Sequence, residues 1–342
     1  MTIREIAVEC GVSTATVDRV INGRGKVRPD TEARVLAALE KAGYTKNIAA
    51  RALAIRKASP AIGVVISSEG NPFFDEVLAG VHRAETELMD FGVSVKMKTM
   101  RGYHPEEQLK LIEKLAARVS ALVLHPIDDP RVTAKIAELA NRGIPTITIN
   151  SDLEHSERRC YVGSDYITGG ETAAGLMRLA TYGKRRLGIL TGVDTLLGHR
   201  QRLYGFESHL RTNCPRIEIV ARRSAEDDDA KSYAATRTML RADPMIDTLL
   251  LIAAGLEGVC EAVHELKLEK RIRLFAFDHI PATEAMMKSG LLRAVVCQQP
   301  FQQGYQAVRS ALDIILSGAP ASERFIMENQ ICILENLSSE PR

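Results

Sequence analysis

Two sets of side chains in this 342-residue sequence have the types and spacing to do chemistry. The first follows Cys10-Gly11-Val12 and runs Ser13-Thr14-Ala15-Thr16, then Asp18, Arg19 and Asn22. These short hydroxyl, methyl, amide and guanidinium groups can approach base edges and phosphates when one helix presents them together. The second set is scattered along the chain: Asn71 with Phe73 and Phe74, then Asn150, Ser151 and Asp152, then Arg202, Asp278 and Gln298. Phenyl faces suit the apolar C–H face of a sugar ring, while carboxylates, amides and a guanidinium take its hydroxyls.

Each set needs a frame. Around the first, Thr2 can cap a helix over 3–9 that Gly11 ends, and Ser13 can cap a second over 14–22. Gly11 tolerates the left-handed dihedrals of a tight turn, and Ile6, Val12, Val17 and Val20 supply apolar groups between the two helices. Pro29 and Asp30 open a third helix, and an Ala-rich basic segment over 47–56 could form a fourth. From residue 61 the pattern changes. Short β-branched runs such as Ile62–Ser67, Ala121–His125, Leu187–Thr191 and Thr248–Ala253 alternate with amphipathic helical stretches. Strands alternating with crossover helices predict parallel sheets covered on both faces. The number of units, about nine or ten, suits two lobes better than one sheet, with a break near 150–165. Both lobes would then offer strand carboxyl ends to a shared cleft, which is where the second set falls.

Composition narrows the classes. Apolar residues make up 45% and charged residues 26%, the balance of a soluble globular protein, and no apolar run reaches the ~18–20 residues of a membrane span. Residues 1–60 carry 11 Lys/Arg against 6 Asp/Glu, and the remainder 34 against 37, so a basic head precedes a mildly acidic body. That is the distribution expected of nucleic-acid contact confined to one end. The six cysteines show no C-x-x-C, which supports neither a zinc site nor a disulfide framework, and the first residues predict no secretory leader. The expected setting is therefore cytoplasmic, without membrane contact.

An enzyme is the main alternative, one acting on a carbohydrate-like substrate. Against it, no G-x-G-x-x-G follows the first strand, and neither G-x-x-x-x-G-K-[ST] nor G-x-S-x-G occurs. His125-Pro126-Ile127-Asp128-Asp129 has ligand-type side chains but reads as a capped loop, and Glu226–Asp229 as a solvated helix N-terminus. Neither a catalytic set, a metal site nor a cofactor is expected.

The segments Ile3-Arg4-Glu5-Ile6-Ala7, Gly11-Val12-Ser13-x-x-Thr16-Val17-x-Arg19-Val20-Ile21-Asn22, Thr31-x-x-Arg34-Val35 and Gly43-Tyr44 resemble the lactose/galactose repressor (LacI-type) family, and Asn47-x-x-Ala50-Arg51-x-Leu53 resembles its hinge helix. The resemblance implies base reading by Thr14, Ala15 and Arg19, and phosphate contacts from Ser13, Thr16 and Asn22. Thr2, Ile3, Asp18, Asn47 and Ala50 complete the DNA-facing set, and Leu53 would wedge into the minor groove at a central base step of a pseudo-palindromic operator. Residues 61–335 resemble the sugar-binding periplasmic-protein fold that the family shares. That likeness implies a stacking pair in Phe73 and Phe74, a polar clamp in Arg202 and Asp278, and a hinge-side contact in Gln298. Departures are Asp18 for the usual serine, Lys46 for a proline, Ala253-Ala254-Gly255 for Asn-Asp, and Asn150-Ser151 for the Asp-Arg of ribose-type binders.

The division expected is 1–46 as an all-α helix-turn-helix DNA-binding domain and 47–60 as hinge helix and linker. Residues 61–342 would form an α/β two-lobed body of two doubly wound parallel sheets, used for ligand binding and dimerisation. Its lobes would be about 61–163 plus 292–322, and 164–291 plus 323–336. The function expected is that of a homodimeric transcription repressor controlled by a sugar or sugar derivative.

Overall fold

The computed structural model describes residues 3–22, 27–41, 59–67 and 69–337. Thr2, Asn47, Ala50 and Leu53 lie outside the described residues.

Among the described residues the head comprises α1 (Ile3–Glu9), α2 (Thr14–Asn22) and α3 (Pro29–Lys41). Ile6, Ala7, Cys10, Val17, Val20, Val35 and Ala38 are buried between them, with Val12, Ile21, Val27 and Leu39 packed against that cluster. The α1–α2 turn depends on Gly11, whose φ of +63° a side chain would strain. Ser13 then caps α2, its hydroxyl accepting from the Thr16 amide at 3.1 Å.

The body is built on two six-stranded sheets. The first takes β1 (Ala61–Ser67), β2 (Ser94–Met100), β3 (Ala121–Leu124), β4 (Thr146–Ile149), β5 (Cys160–Ser164) and β11 (Arg324–Met327), in the order β2-β1-β3-β4-β5-β11. The second takes β6 (Arg185–Thr191), β7 (Ile217–Ser224), β8 (Thr248–Leu251), β9 (Arg273–Phe277), β10 (Leu292–Cys297) and β12 (Gln330–Cys332), in the order β7-β6-β8-β9-β10-β12. Among the described residues, all pairings are parallel except β10 with β12. Central strands such as β1, β3, β4 and β8 are buried at every residue. Helices cover both faces, so β1, β3 and β8 are nearly continuous apolar runs and β4 buries two threonines, whereas edge strand β2 alternates. In each sheet the strand order reverses between the first and third strands of its lobe, and ligands bind at the carboxyl ends beside such a reversal.

The helices are α4 (Pro72–Leu88), α5 (Pro105–Ala116), α6 (Pro130–Asn141), α7 (Tyr166–Ala180), α8 (Leu197–Asn213), α9 (Asp229–Ala242), α10 (Leu256–Glu265), α11 (Thr283–Lys288), α12 (Pro300–Ser317) and α13 (Leu334–Leu337). A crossing of α7 and α8 fixes the helix that carries Arg202. A Cβ on Gly205 would stand 2.1 Å from the Ile167 carbonyl oxygen, and one on Gly170 would stand 2.1 Å from that of Arg202. Only glycine permits so close an approach of two backbones.

The chain crosses between lobes after β5, after β10 and between β11 and β12. The expected division therefore needs correcting. Residues 292–297 lie in the second sheet, and 324–327 in the first. A parallel β9–β10 neighbour keeps the fifth strand in its own lobe, and each sheet gains an edge strand from the tail. The three crossings are bonded together: Gln299 Nε2 donates to the Glu328 carbonyl at 2.9 Å, and Asn329 Nδ2 to the Asp165 carbonyl at 2.9 Å.

Candidate functional site

A cavity of about 300 Å³ lies between the lobes, at the strand ends facing both reversals. From the first lobe come Asn71, Phe73, Phe74, Tyr103 and Asn150. From the second come Leu196, His199, Arg202, Asp227, Ala253, Ala254, Phe277, Asp278 and Gln298, among others. Asn71 follows β1 and caps α4, accepting from the Phe73 amide at 3.0 Å, while Pro72 supplies the preset first helical turn. This fixes the aromatic pair at the cavity wall. Phe73 and Phe74 meet edge to face, with centroids 5.1 Å apart, and Phe74 leans on buried His125 at 4.7 Å. Burial lowers the His125 pKa to about 4, so its ring is neutral and serves as packing.

Arg202 is 4% exposed. Its Nη1 donates to the Ile252 carbonyl at 2.8 Å, and Nη2 stands 3.8 Å from Asp278 Oδ2. The guanidinium lies over the rings of Phe277 at 4.4 Å and Tyr166 at 5.0 Å, so both aromatic faces and the carboxylate hold it in one plane. Asp278 has φ +65°, which turns its side chain back toward Gln298. Gln298 donates to it twice, from the backbone amide at 3.2 Å and from Nε2 at 2.5 Å. Burial raises the Asp278 pKa to about 6, against the opposing pull of Arg202 and of the Gln298 bonds. Gln298 Oε1 is buried without a hydrogen-bond partner among the described residues. A ligand donor, a hydroxyl or an amine, would satisfy it.

The lobes touch across the cleft. Tyr103 donates its hydroxyl to Asp227 Oδ2 at 2.6 Å, and the Asp128 amide donates to the Thr195 carbonyl at 2.9 Å. Arg200 pairs with Asp128. Asp227 Oδ1 also accepts from the Ala254 amide at 3.0 Å and lies 3.9 Å from His199 Nε2. Burial lowers the His199 pKa although Asp227 opposes it, so this imidazole too is neutral at pH 7.

Several expectations need correction here. Ser151 and Asp152 do not line the cavity. Asn150 takes φ +61° and turns the chain away, its carbonyl accepting from Tyr161 and Tyr166. Asp152 instead pairs with Arg158, 2.6 Å from its Nε, and accepts from the Thr148 hydroxyl. Asp227, expected in a solvated run, has a side chain only 4% exposed that enters the cavity. Its neighbour Asp228 alone caps α9. Tyr103 and His199 also line the cavity, and no local sequence pattern marks either one.

On the head, Thr14, Ala15, Asp18 and Arg19 are exposed on α2. Ser13 is exposed, and its hydroxyl lies 2.9 Å from that of half-buried Thr16. Ile3 opens α1 and Asn22 closes α2. One face of α2 therefore packs against the head's core while the other presents the polar set.

Comparison with known proteins places both parts. Residues 2–47 match the model for bacterial regulatory proteins of the lacI family, and residues 62–319 match that of the periplasmic binding protein domain. The chain is 28% identical to the ribose operon repressor of Bacillus subtilis over 330 residues, covering 92% of this chain and 91% of that one. It is 32% identical to the transcriptional regulator GalR of Salmonella typhimurium over 219 residues, 62% of this chain and 61% of that one. Among solved structures, GanP, a glucose-galactose binding protein from Geobacillus stearothermophilus, superposes with a TM-score of 0.75 at 26% identity. That match covers 82% of this chain and 99% of GanP.

Proposed function

The chain belongs to the lacI family of bacterial regulatory proteins, with a periplasmic-binding-protein domain as its body, and from this premise we propose that it is a sugar-responsive, DNA-binding transcription regulator acting as a repressor. One observation carries the reading. A single chain joins an exposed polar face on α2 to a cleft walled by an aromatic pair and a desolvated Arg202–Asp278 clamp.

On DNA, Thr14, Ala15 and Arg19 read base edges, while Ser13, Thr16 and Asn22 bind phosphate. Two copies of the chain form a homodimer on a pseudo-palindromic operator. In the cleft, Phe73 and Phe74 take the apolar face of the sugar, and Arg202, Asp278, Asn150 and Gln298 take its hydroxyls. Among the described residues, the cavity wall carries Asp227, Asp229, Glu257 and Asp278 against one cation, Arg202. That imbalance favours a neutral or amino sugar over a sugar acid or sugar phosphate, whose charge the wall repels. A ligand spanning both lobes stabilises the closed arrangement, and lobe rotation changes how the two heads are spaced.

Two measurements test this together. Selection from a random duplex library is expected to enrich one symmetric motif. A thermal-shift panel of neutral sugars, amino sugars, sugar acids and sugar phosphates is expected to show stabilisation by a neutral or amino sugar. At a hundredfold excess over Kd the gain is about 2.7 kcal/mol. Arg202→Ala should abolish that shift and leave operator binding intact. Random recovery of DNA sinks the regulator reading, and a shift by sugar phosphates alone sinks the ligand class.

A further inference from the structure

All six cysteines are thiols, and two of them are not isolated. Cys297 Sγ lies 3.0 Å from Cys332 Sγ, closer than packing alone brings two sulfurs. The residues are diagonal neighbours on antiparallel strands, since Val295 pairs with Cys332 and Cys297 with Gln330. Their position in the fold matters more than the distance. Cys297 ends β10 at the crossing to the first lobe and precedes Gln298, which holds Asp278 in the cleft. Cys332 ends β12, the strand that re-enters the second lobe from the first.

We propose that Cys297 and Cys332 form a reversible redox site, an intramolecular disulfide that staples two of the three crossings between the lobes and restrains lobe opening. The staple acts at the hinge and needs neither the effector nor DNA. The oxidant is a peroxide. The Cys332 thiolate attacks one peroxide oxygen, breaking the O–O bond to leave a sulfenic acid and release hydroxide, which is protonated to water. Cys297 sulfur then displaces the sulfenic oxygen, forming the S–S bond and releasing a second water once protons balance. Two thiols and one hydrogen peroxide thus give one disulfide and two waters, and a dithiol reverses the step by exchange.

The roles follow from the surroundings. Cys332 is partly exposed, within reach of a small oxidant, and the hydrogen bond from Cys297 holds its thiol below the usual range. Cys297 is buried, and the same bond and its burial hold its thiol up, as befits the resolving partner. Bond formation draws the sulfurs to about 2.05 Å and fastens β12 to β10. Rotation of the first lobe twists these crossings against each other, and the Gln299–Glu328 bond already resists that twist.

The test uses the full chain with hydrogen peroxide, quenched by catalase, then denatured and alkylated. The titre of six thiols should fall by two, to four per chain. Peptide mapping should join Cys297 to Cys332 within one chain, and dithiothreitol should restore the titre. In C297S, dimedone should trap Cys332 as its sulfenic acid; in C332S, no thiol should be lost at the same dose. Hydrogen exchange at the Asp128 amide, which bonds across the cleft, should slow severalfold on oxidation of wild type and not of C297S. Loss of other cysteines first, or links only between chains, overturns the site. An internal link that leaves Asp128 exchange unchanged overturns the staple.

Discussion

Replacing Asp278 by asparagine should stabilise the ligand-free protein at neutral pH while destroying its response to ligand. Burial raises the Asp278 pKa from 3.8 to about 6, a shift of about two units, each equivalent to ~1.36 kcal/mol. Because the folded pKa lies above the unfolded one, protonation favours the folded state. That contribution is fully present below the unfolded value and is lost as pH rises through 6. At pH 8 the buried carboxylate therefore costs the fold about 3 kcal/mol relative to its protonated form, and at pH 4.5 only about 1 kcal/mol. Asparagine keeps the shape and cannot ionise. Urea unfolding of both proteins should then show a variant-minus-wild-type difference that grows by about 2 kcal/mol from pH 4.5 to pH 8. Titrations common to both proteins cancel in that difference. A flat difference would mean that the Arg202 ion pair and the Gln298 bonds offset desolvation fully, and that Asp278 is an ordinary carboxylate.

Tyr103→Phe removes the hydroxyl that donates to Asp227 across the cleft, and should weaken effector binding by about 0.5–1.5 kcal/mol, up to roughly tenfold; calorimetry that finds equal affinity refutes a role in closure. Gly205→Ala places a methyl 2.1 Å from the Ile167 carbonyl oxygen and should cost about 1–3 kcal/mol in urea unfolding, with Arg202 displaced and effector affinity reduced. Asp18 is exposed on α2, and Asp18→Ser in an operator selection should relax preference at one symmetric pair of positions if the carboxylate accepts from a cytosine amino group. Uniformly tighter binding with an unchanged motif would rule base reading out.

The sequence by itself determined what depends on near neighbours. Gly11 and Ser13 marked the turn and cap of the head because backbone dihedrals and capping bonds involve only a few residues. The apolar runs of β1, β3 and β8 announced parallel strands because both faces of such a strand must be covered. Phe73, Phe74, Asp278 and Gln298 were legible at the cavity for a related reason: each follows a strand or begins a helix on the side where α/β sheets hold ligands, and Arg202 sits in the second turn of such a helix. Only the tertiary structure decided the rest. Ser151 and Asp152 share Asn150's strand end, yet one left-handed residue points them away from the cavity. Residues 292–297 and 324–327 carry apolar residues that suit either lobe, and only their pairing, with β9 and with β5, assigns each to a sheet. Tyr103 and Asp227 are separated by 124 positions, and Cys297 and Cys332 by 35. No periodicity or propensity spans such distances, so these pairs meet only where the lobes close and the crossing strands run side by side.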